Sequence, residues 1–540
     1  MSLLLEPLPR AILCLSAAIV SVLSVEHYAS PQCQASADSS SRTVARKVSD
    51  VLVRAGVCGI VFAFFFAISW RPLYAWGATL SFFAIFTAIS WAKNSFFKEP
   101  LVFADITLLP LLLRHKDIFY ANSLNLLFWF VFSLYVFGAS TLFYLFEPHV
   151  VPAEAPWVIP IVASVALGPW LALLLASARR RLGSYAAAIL QTSDAHEATA
   201  RLGAFTFVLL DFAAWLGFDR NSHQEAASGH TTAKVAELEK HFSGSRLPVF
   251  LVWQSESFYD MRRLGIADLK LPTLDRLRER AVKWGLLGSI FSGGNTVRTE
   301  FSVITGIAPS QLGPDANYPY LKASAYTSSA WPQALRAARW KTCFIHPYDP
   351  LFYRRHRAIP ELGFDDLVML DAFQGEGQDE VYVSDRRISR RVIDICERNE
   401  DKAVFLFVAS MENHGPWKAG RVEGLSDPLE IYLRILERTD SALCEMFAIL
   451  DQLDRPVWVA FYGDHAPLMQ PFGKPFPDPR TDYVLVPSGT ALRPGDRREA
   501  TNTEPWLLIS DLMASAVLTA SNAQAGLQSV RNTGQGRLAL

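Results

Sequence analysis

The apolar positions of the chain fall into two regimes. In the first 180 residues they come in long runs: VCGIVFAFFFAISW, YAWGATLSFFAIFTAIS, LNLLFWFVFSLYVFGASTLFYLF and WVIPIVASVALGPWLALLLA. Each is near the roughly 20 apolar residues that a helix needs to cross a bilayer. An earlier run, Ala11 to Val25, follows Arg10. It lacks a clear small-residue cleavage site and more spans follow at once, so it reads as a first span rather than a signal peptide, giving five. Leu101 to Leu113 is apolar but short and holds Asp105, which suits a segment lying in the interface or re-entering.

From Leu247 onward the period changes. Short apolar runs, PVFLVW, TCFI, AVFLFVA, VWVAFY and YVLV, alternate with longer helical patterns. That alternation predicts a mainly parallel sheet covered by helices, and the near-continuous apolar character suits strands buried on both faces. Between the regimes, Arg179 to about Gln191 is basic and then amphipathic, LGAFTFVLLDFAAWLGF is interrupted by Asp211, and Asn221 to Ser245 is polar. The predicted organisation is a membrane domain over 1–180, connector helices and a linker over 181–246, an α/β domain over 247–520, and a disordered tail, rich in Gln, Gly, Ser and Asn, over 521–540.

Composition adds exclusions. Hydrophobic residues make up 51% of the chain, in keeping with membrane spans, and the net charge of -1 with no large basic block argues against a nucleic-acid partner. The six cysteines show no CxxC spacing, so neither a zinc knuckle nor a disulfide framework is indicated.

In an open parallel sheet, ligands bind at the carboxyl ends of the strands. Glu256 follows PVFLVW, His346 follows TCFI, His414 follows AVFLFVA, and Asp464 and His465 follow VWVAFY. Glu256, Asp464 and His465 form a suitable set of ligands for a divalent cation. Thr296, in FSGGNTVRTEFSVITG, follows two glycines and opens a helix whose N-terminal amides favour an anion. Taken alone, it reads first as a plain helix cap. A capping box would put Glu or Gln at position 299, where Thr299 stands, with Glu300 one residue beyond. As a nucleophile, a threonine hydroxyl beside a divalent cation is competent towards phosphorus. Glu256 taken alone reads first as a solvated loop acid, and His414 alone serves equally as a structural histidine.

The motifs GGNTVRTEFSVITG, ENHGPW and FYGDHAP resemble those of the lipoteichoic acid synthases and related membrane phosphoglycerol transferases of the sulfatase and alkaline phosphatase superfamily. KEPLVFADI, Lys98 to Ile106, is similar to a segment of that family between its third and fourth spans. The resemblance implies five spans before an extracytoplasmic catalytic domain with the alkaline phosphatase/sulfatase-like fold. It implies Thr296 as nucleophile, metal ligands at Glu256, Thr296, Asp464 and His465, and manganese as the metal, with magnesium or zinc as alternatives. His346, Tyr353, Arg355 and His414 fall on its substrate-binding positions, and His414 is also placed as an acid or base. Tyr353 stands where the family has tryptophan, and Asn295 where it has lysine beside the threonine.

The implied reaction moves phosphoglycerol from phosphatidylglycerol, an anionic phospholipid, to a glycan or glucan of the cell envelope through Thr296. The implied location is the bacterial inner membrane, with the catalytic domain on the periplasmic or extracellular side. The charge bias opposes that placement: Arg42, Arg46, Lys47, Lys93, Lys98, Arg114, Lys116 and Arg179 to Arg181 would lie outside against only Arg10 and Arg71 inside. Alternatives on the same fold are a phosphoethanolamine transferase and a phosphodiesterase or sulfatase-type hydrolase. A non-catalytic sensor would be expected to have lost a metal ligand, and none is missing.

Overall fold

The computed structural model describes residues 7–29, 44–97, 99–108, 126–151, 156–190, 194–242, 247–290, 296–375, 381–469, 477–491 and 499–535. They belong to two compact units, Met1–Phe218 and Asp219–Leu540, so the stretch expected to act as a connector is divided between them.

The first unit is helical: α1 (Pro7–Ala29), α2 (Val44–Ser69), α3 (Pro72–Phe97), α4 (Leu126–Phe146), α5 (Val158–Ala172), α6 (Ala176–Leu190), α7 (Ala195–Leu202) and α8 (Ala204–Gly217). Among the described residues three of these, α1 to α3, are long and apolar enough to cross a membrane, and α5 with α6 makes a fourth if that pair, bent by 92°, is one span. Helix α4, described in part, has 21 residues and no charged one, and adding it reaches the five expected. The bend between α5 and α6 comes just before Arg179 to Arg181, where the sequence turns from apolar to basic. Helices α6 and α8 then meet at a pair of glycines: a Cβ on Gly183 would stand 2.6 Å from the Gly217 Cα, so no larger residue fits there.

Several charges in this unit are paired. Arg10 and Arg71 both reach Glu147, by a 3.4 Å ion pair and a 2.7 Å bond to its carbonyl. Elsewhere Arg54 donates to Glu26 at 2.7 Å, Arg201 to the Asp50 carboxylate, and Lys93 to Glu99 at 2.9 Å and Asp105 at 2.7 Å. Asp105 also accepts from the Val102 amide, and Asp211 on α8 accepts from the Phe103 amide at 3.1 Å. The KEPLVFADI segment is therefore folded as a short turn, Phe103–Leu108, tied to the end of α3 and to α8. Lys93, one of the cations that oppose the expected topology, is neutralised by this tie. Residues 109–113 of the apolar stretch, and Arg42, Lys98, Arg114 and Lys116, lie outside the described residues.

The second unit is built on an eight-stranded sheet: β1 (Val249–Ser255), β2 (Lys283–Leu287), β3 (Lys341–Ile345), β4 (Asp366–Val368), β5 (Val404–Ala409), β6 (Pro456–Gly463), β7 (Thr481–Gly489) and β8 (Glu499–Ala500). Their order is β4-β3-β5-β1-β6-β7-β2-β8. Strands β4, β3, β5, β1 and β6 run parallel; β7 is antiparallel to both neighbours. The three central strands explain the apolar runs: every residue of β1 and β5 is buried, so both faces are covered. Each such side chain contributes about 1.5–3 kcal/mol through burial. Strands β2, β4 and β8 carry no comparable signal: KWGLL is only half-buried and holds a glycine, and the other two have three and two residues.

Around the sheet pack α9 (Asn221–His241), α10 (Pro272–Arg280), α11 (Thr296–Thr305), α12 (Trp331–Ala337), α13 (Arg355–Glu361), α14 (Asp385–Arg398), α15 (Pro428–Leu450) and α16 (Leu508–Gln535). Two corrections follow. The polar stretch from Asn221 is one 21-residue helix rather than a linker ending in a short helix. Residues 521–535, expected to be disordered, continue α16; the segment is free of proline, so nothing in it forces the helix to stop.

Candidate active site

Strands β3, β5, β1 and β6 are consecutive in the sheet, so the residues after their carboxyl ends share one rim. Glu256 leaves β1 beside Ser257, whose φ of 49° is left-handed and strained for a residue with a Cβ. Asp464 leaves β6 after Gly463, where a Cβ would lie 1.9 Å from the Phe258 carbonyl oxygen. Glycine there lets the two loops cross. The crossing is fastened by the Ser257 amide, which donates to Asp464 Oδ1 at 2.8 Å.

Glu256, Asp464 and His465 are buried, with one potential ligand atom of each within 4.8 Å of the others. His465 Nδ1 faces the Ala466 carbonyl at 3.0 Å, which puts a proton there and turns Nε2 into the cluster. That Nε2 lies 3.1 Å from Glu256 Oε1 and 3.4 Å from Asp464 Oδ2. Neither His465 Nε2 nor Asp464 Oδ2 makes a hydrogen bond, although both are buried. The electrostatics match. Burial would lower the His465 pKa, but Asp464 and Glu256 raise it to about 10. Burial and then the Glu256 charge push Asp464 up to about 7. Burial likewise works to raise Glu256, but His465 and His414 hold it below the usual carboxylate range. The crowded carboxylates therefore draw protons onto His465 and Asp464 that a cation would displace.

Thr296 is the first residue of α11 and is buried. Its Oγ1 donates to Glu256 Oε2 at 3.1 Å, which brings the helix start and the acidic cluster together. Thr299 Oγ1 donates to the Asp464 carbonyl at 3.1 Å and fixes the helix against β6. Asn295 and the glycines Gly293 and Gly294 lie outside the described residues.

Opposite stands a second group. Arg355 is buried and donates to Glu300 through Nε at 3.0 Å and Nη2 at 2.8 Å. Its Nη1 is 3.0 Å from His346 Nε2, and His346 Nδ1 is 2.8 Å from the Ala409 carbonyl. The imidazole thus donates at Nδ1 and accepts at Nε2, which makes it neutral; burial and Arg355 hold its pKa well below the usual value. Tyr353 and Arg354 just before Arg355 both have left-handed φ, 53° and 59°. Such strain persists only where surroundings fix it. Here the Tyr353 ring packs with its centre 5.4 Å from the Arg355 guanidinium carbon. His414, half-buried, keeps Nδ1 near the Gly415 carbonyl and the Tyr382 hydroxyl, the latter at 3.2 Å. Burial lowers its pKa.

Residues 248–513 match the sulfatase family. The chain is 47% identical over 474 residues to the capsular polysaccharide biosynthesis protein RkpI of Rhizobium meliloti (strain 1021), covering 87% of each chain. The chain belongs to the sulfatase family. Among solved structures it is similar to the integral membrane lipooligosaccharide phosphoethanolamine transferase A (EptA) of Neisseria meningitidis, with a TM-score of 0.53 and 10% identity, over 94% of this chain and 95% of that one. That likeness extends the shared fold to the helical unit. A Streptococcus pyogenes phosphoglycerol transferase, GacH, in complex with sn-glycerol-1-phosphate, matches at a TM-score of 0.44 and 18% identity, over 56% of this chain and 85% of that one.

Sulfatase-family membership and the donor set agree on a cation site. The orphaned Asp464 Oδ2 and His465 Nε2, with Glu256 and the Thr296 hydroxyl, are the atoms that would hold it. Three residues at the rim escaped the sequence reading. Glu300 is one helical turn from Thr296, on the same face of α11, and that spacing was its signal. Asn413, whose Nδ2 donates to Ser255 Oγ at 3.1 Å, lies in the ENHGPW motif beside His414, whereas Tyr382, which reaches His414 from 32 residues away, had none.

Proposed function

We propose that the protein transfers phosphoglycerol from phosphatidylglycerol to a cell-envelope glycan by way of a covalent phosphoryl group on Thr296. The observation that carries this reading is the Thr296 hydroxyl, buried and bonded to Glu256 inside the acidic cluster, across from Arg355 and His346. The name of the Rhizobium relative supports a capsular or similar polysaccharide as acceptor.

Glu256, Thr296, Asp464 and His465 would hold a divalent cation, manganese with magnesium or zinc as alternatives, and it would supply Lewis-acid stabilisation of charge on the phosphoryl oxygens. Glu256 orients Thr296 through the hydrogen bond it accepts. In the first step the Thr296 Oγ1–phosphorus bond forms and the bond from phosphorus to the diacylglycerol oxygen breaks; the threonine proton ends on that oxygen. His414, neutral and with Nδ1 tied to the Gly415 carbonyl, offers Nε2 to carry the proton. In the second step an acceptor hydroxyl attacks, its proton returns to Thr296, and the phosphoglycerol leaves on the glycan. Arg355 Nη1 and Tyr353 form the wall against the phosphate. The helical unit would anchor the enzyme in the inner membrane with the catalytic unit outside, where such glycans are built.

The test is incubation of the purified full chain with labelled phosphatidylglycerol and manganese. Diacylglycerol release that disappears in Thr296→Ala supports the reading; no release, or equal release by the variant, overturns it. Release from phosphatidylethanolamine instead would shift the donor, and release with no transfer to any added glycan would make the enzyme a hydrolase.

A further inference from the structure

We propose that Glu300 sets the charge that this site accepts, fitting it to a singly charged phosphodiester over a doubly charged phosphomonoester. The proposal rests on the phosphotransferase reading above. Glu300 is fully buried and takes two of the three nitrogens of the Arg355 guanidinium, leaving only Nη1 towards His346. Its carboxylate is closed by the Tyr320 hydroxyl and by Gln254 Nε2 at 3.3 Å. The positive charge of Arg355 is thus cancelled where it stands. His346, with both nitrogens engaged as donor and acceptor, adds none.

On the other side, Glu256 and Asp464 balance a divalent cation, and His465 as a ligand is neutral. These two groups together then carry no net charge before substrate arrives. A phosphodiester brings one negative charge, whereas a phosphomonoester brings about 1.5 to 2 at neutral pH. Uncompensated charge is costly where water is excluded, so the second is disfavoured. An arginine placed for phosphate would by itself favour the more highly charged ester; Glu300 removes that preference while keeping the guanidinium in place. Glu300 acts through Arg355 and is a positioning and specificity residue rather than a catalytic one.

The experiment compares Glu300→Gln, of equal size and uncharged, with the wild type on bis-p-nitrophenyl phosphate and p-nitrophenyl phosphate, using the full chain. The ratio of kcat/KM should move towards the monoester by roughly tenfold, the scale of one charge interaction at a partly screened site. In a Thr296→Ala background, calorimetry should show inorganic phosphate tightened relative to dimethyl phosphate by Glu300→Gln. Tyr320→Phe, which keeps the charge, should leave both ratios at the wild-type value. The neutral pair Glu300→Gln with Arg355→Gln covers the case in which the single variant does not fold, and should return the binding ratio to that of the wild type. Ratios that Glu300→Gln leaves unmoved, that Tyr320→Phe moves as far, or that the neutral pair leaves shifted overturn the proposal. A wild type that releases diacylglycerol while its ratio ignores Glu300 sinks this inference alone; a wild type that cleaves neither ester and releases no diacylglycerol sinks the phosphotransferase reading beneath it.

Discussion

Two groups of buried charge face each other across one rim, and they are built on opposite plans. Around Arg355 the carboxylate of Glu300 takes the guanidinium through two nitrogens, and His346 is engaged at both of its own. Around Glu256, Asp464 and His465 the count does not close: two carboxylates and an imidazole crowd together while Asp464 Oδ2 and His465 Nε2 have no hydrogen bond. A saturated group is preformed and keeps its shape without a ligand. An unsaturated one is incomplete without one, because buried polar atoms cost free energy unless something answers them.

If that contrast is sound, perturbing the two groups has different consequences. The largest effect is on chemistry at their junction. Thr296→Ala should lower diacylglycerol release by about a million-fold, the scale seen when a nucleophile is removed, while leaving the melting temperature nearly unchanged. A residual rate within tenfold of the wild type would remove Thr296 from the reaction.

Next comes the saturated group. Glu300→Ala leaves Arg355 as an unpaired buried charge and should destabilise the catalytic unit by about 3–5 kcal/mol, read from denaturant unfolding. The unsaturated group should respond in the other direction. Without metal, Asp464→Asn relieves carboxylate repulsion and should not lower stability. In the wild type, manganese at about a hundred times its dissociation constant should add about 2.7 kcal/mol, removed by a chelator. Equal loss from Asp464→Asn and Glu300→Ala in metal-free protein would erase the distinction.

Much of this contrast was legible in the chain, and the limits are physical. The strand-end positions of Glu256, His346, His414, Asp464 and His465 could be read because central parallel strands are apolar throughout and end abruptly at polar residues. Thr296 could be read as a helix start, but its bond to Glu256 depends on how α11 meets β1, which no local pattern records. Arg355 is the clearest gap. Its type suits phosphate binding, yet two of its nitrogens serve Glu300, and only the way α11 meets the start of α13 sets that. Strands β2 and β8 were invisible because pairing with β7 and with each other, rather than their own hydrophobicity, makes them strands.

The smallest predicted effect tests whether an orphaned oxygen alone marks a metal site. Asp385, the first residue of α14, is fully buried and offers Oδ2 to the Thr439 hydroxyl at 2.7 Å, while Oδ1 closes no hydrogen bond. It differs from Asp464 in belonging, among the described residues, to no cluster of three ligand residues, so a proton rather than a cation should answer it. Burial raises its pKa to about 6, partly offset by the Thr439 and Ser410 hydroxyls. A raised folded pKa means that the folded state holds the proton more tightly than the unfolded one. The stability it contributes is present below about pH 4 and is lost as pH rises through about 6. Asp385→Asn cannot lose a proton there. Its stability minus that of the wild type should therefore climb by up to about 2 kcal/mol between pH 4 and pH 7 and then level off, with groups that do not interact with Asp385 cancelling in the difference. Manganese should leave that difference unchanged. A flat or falling difference would mean that Asp385 stays ionised in the fold, and a difference that manganese shifts would mean that one unanswered oxygen is enough to draw a cation.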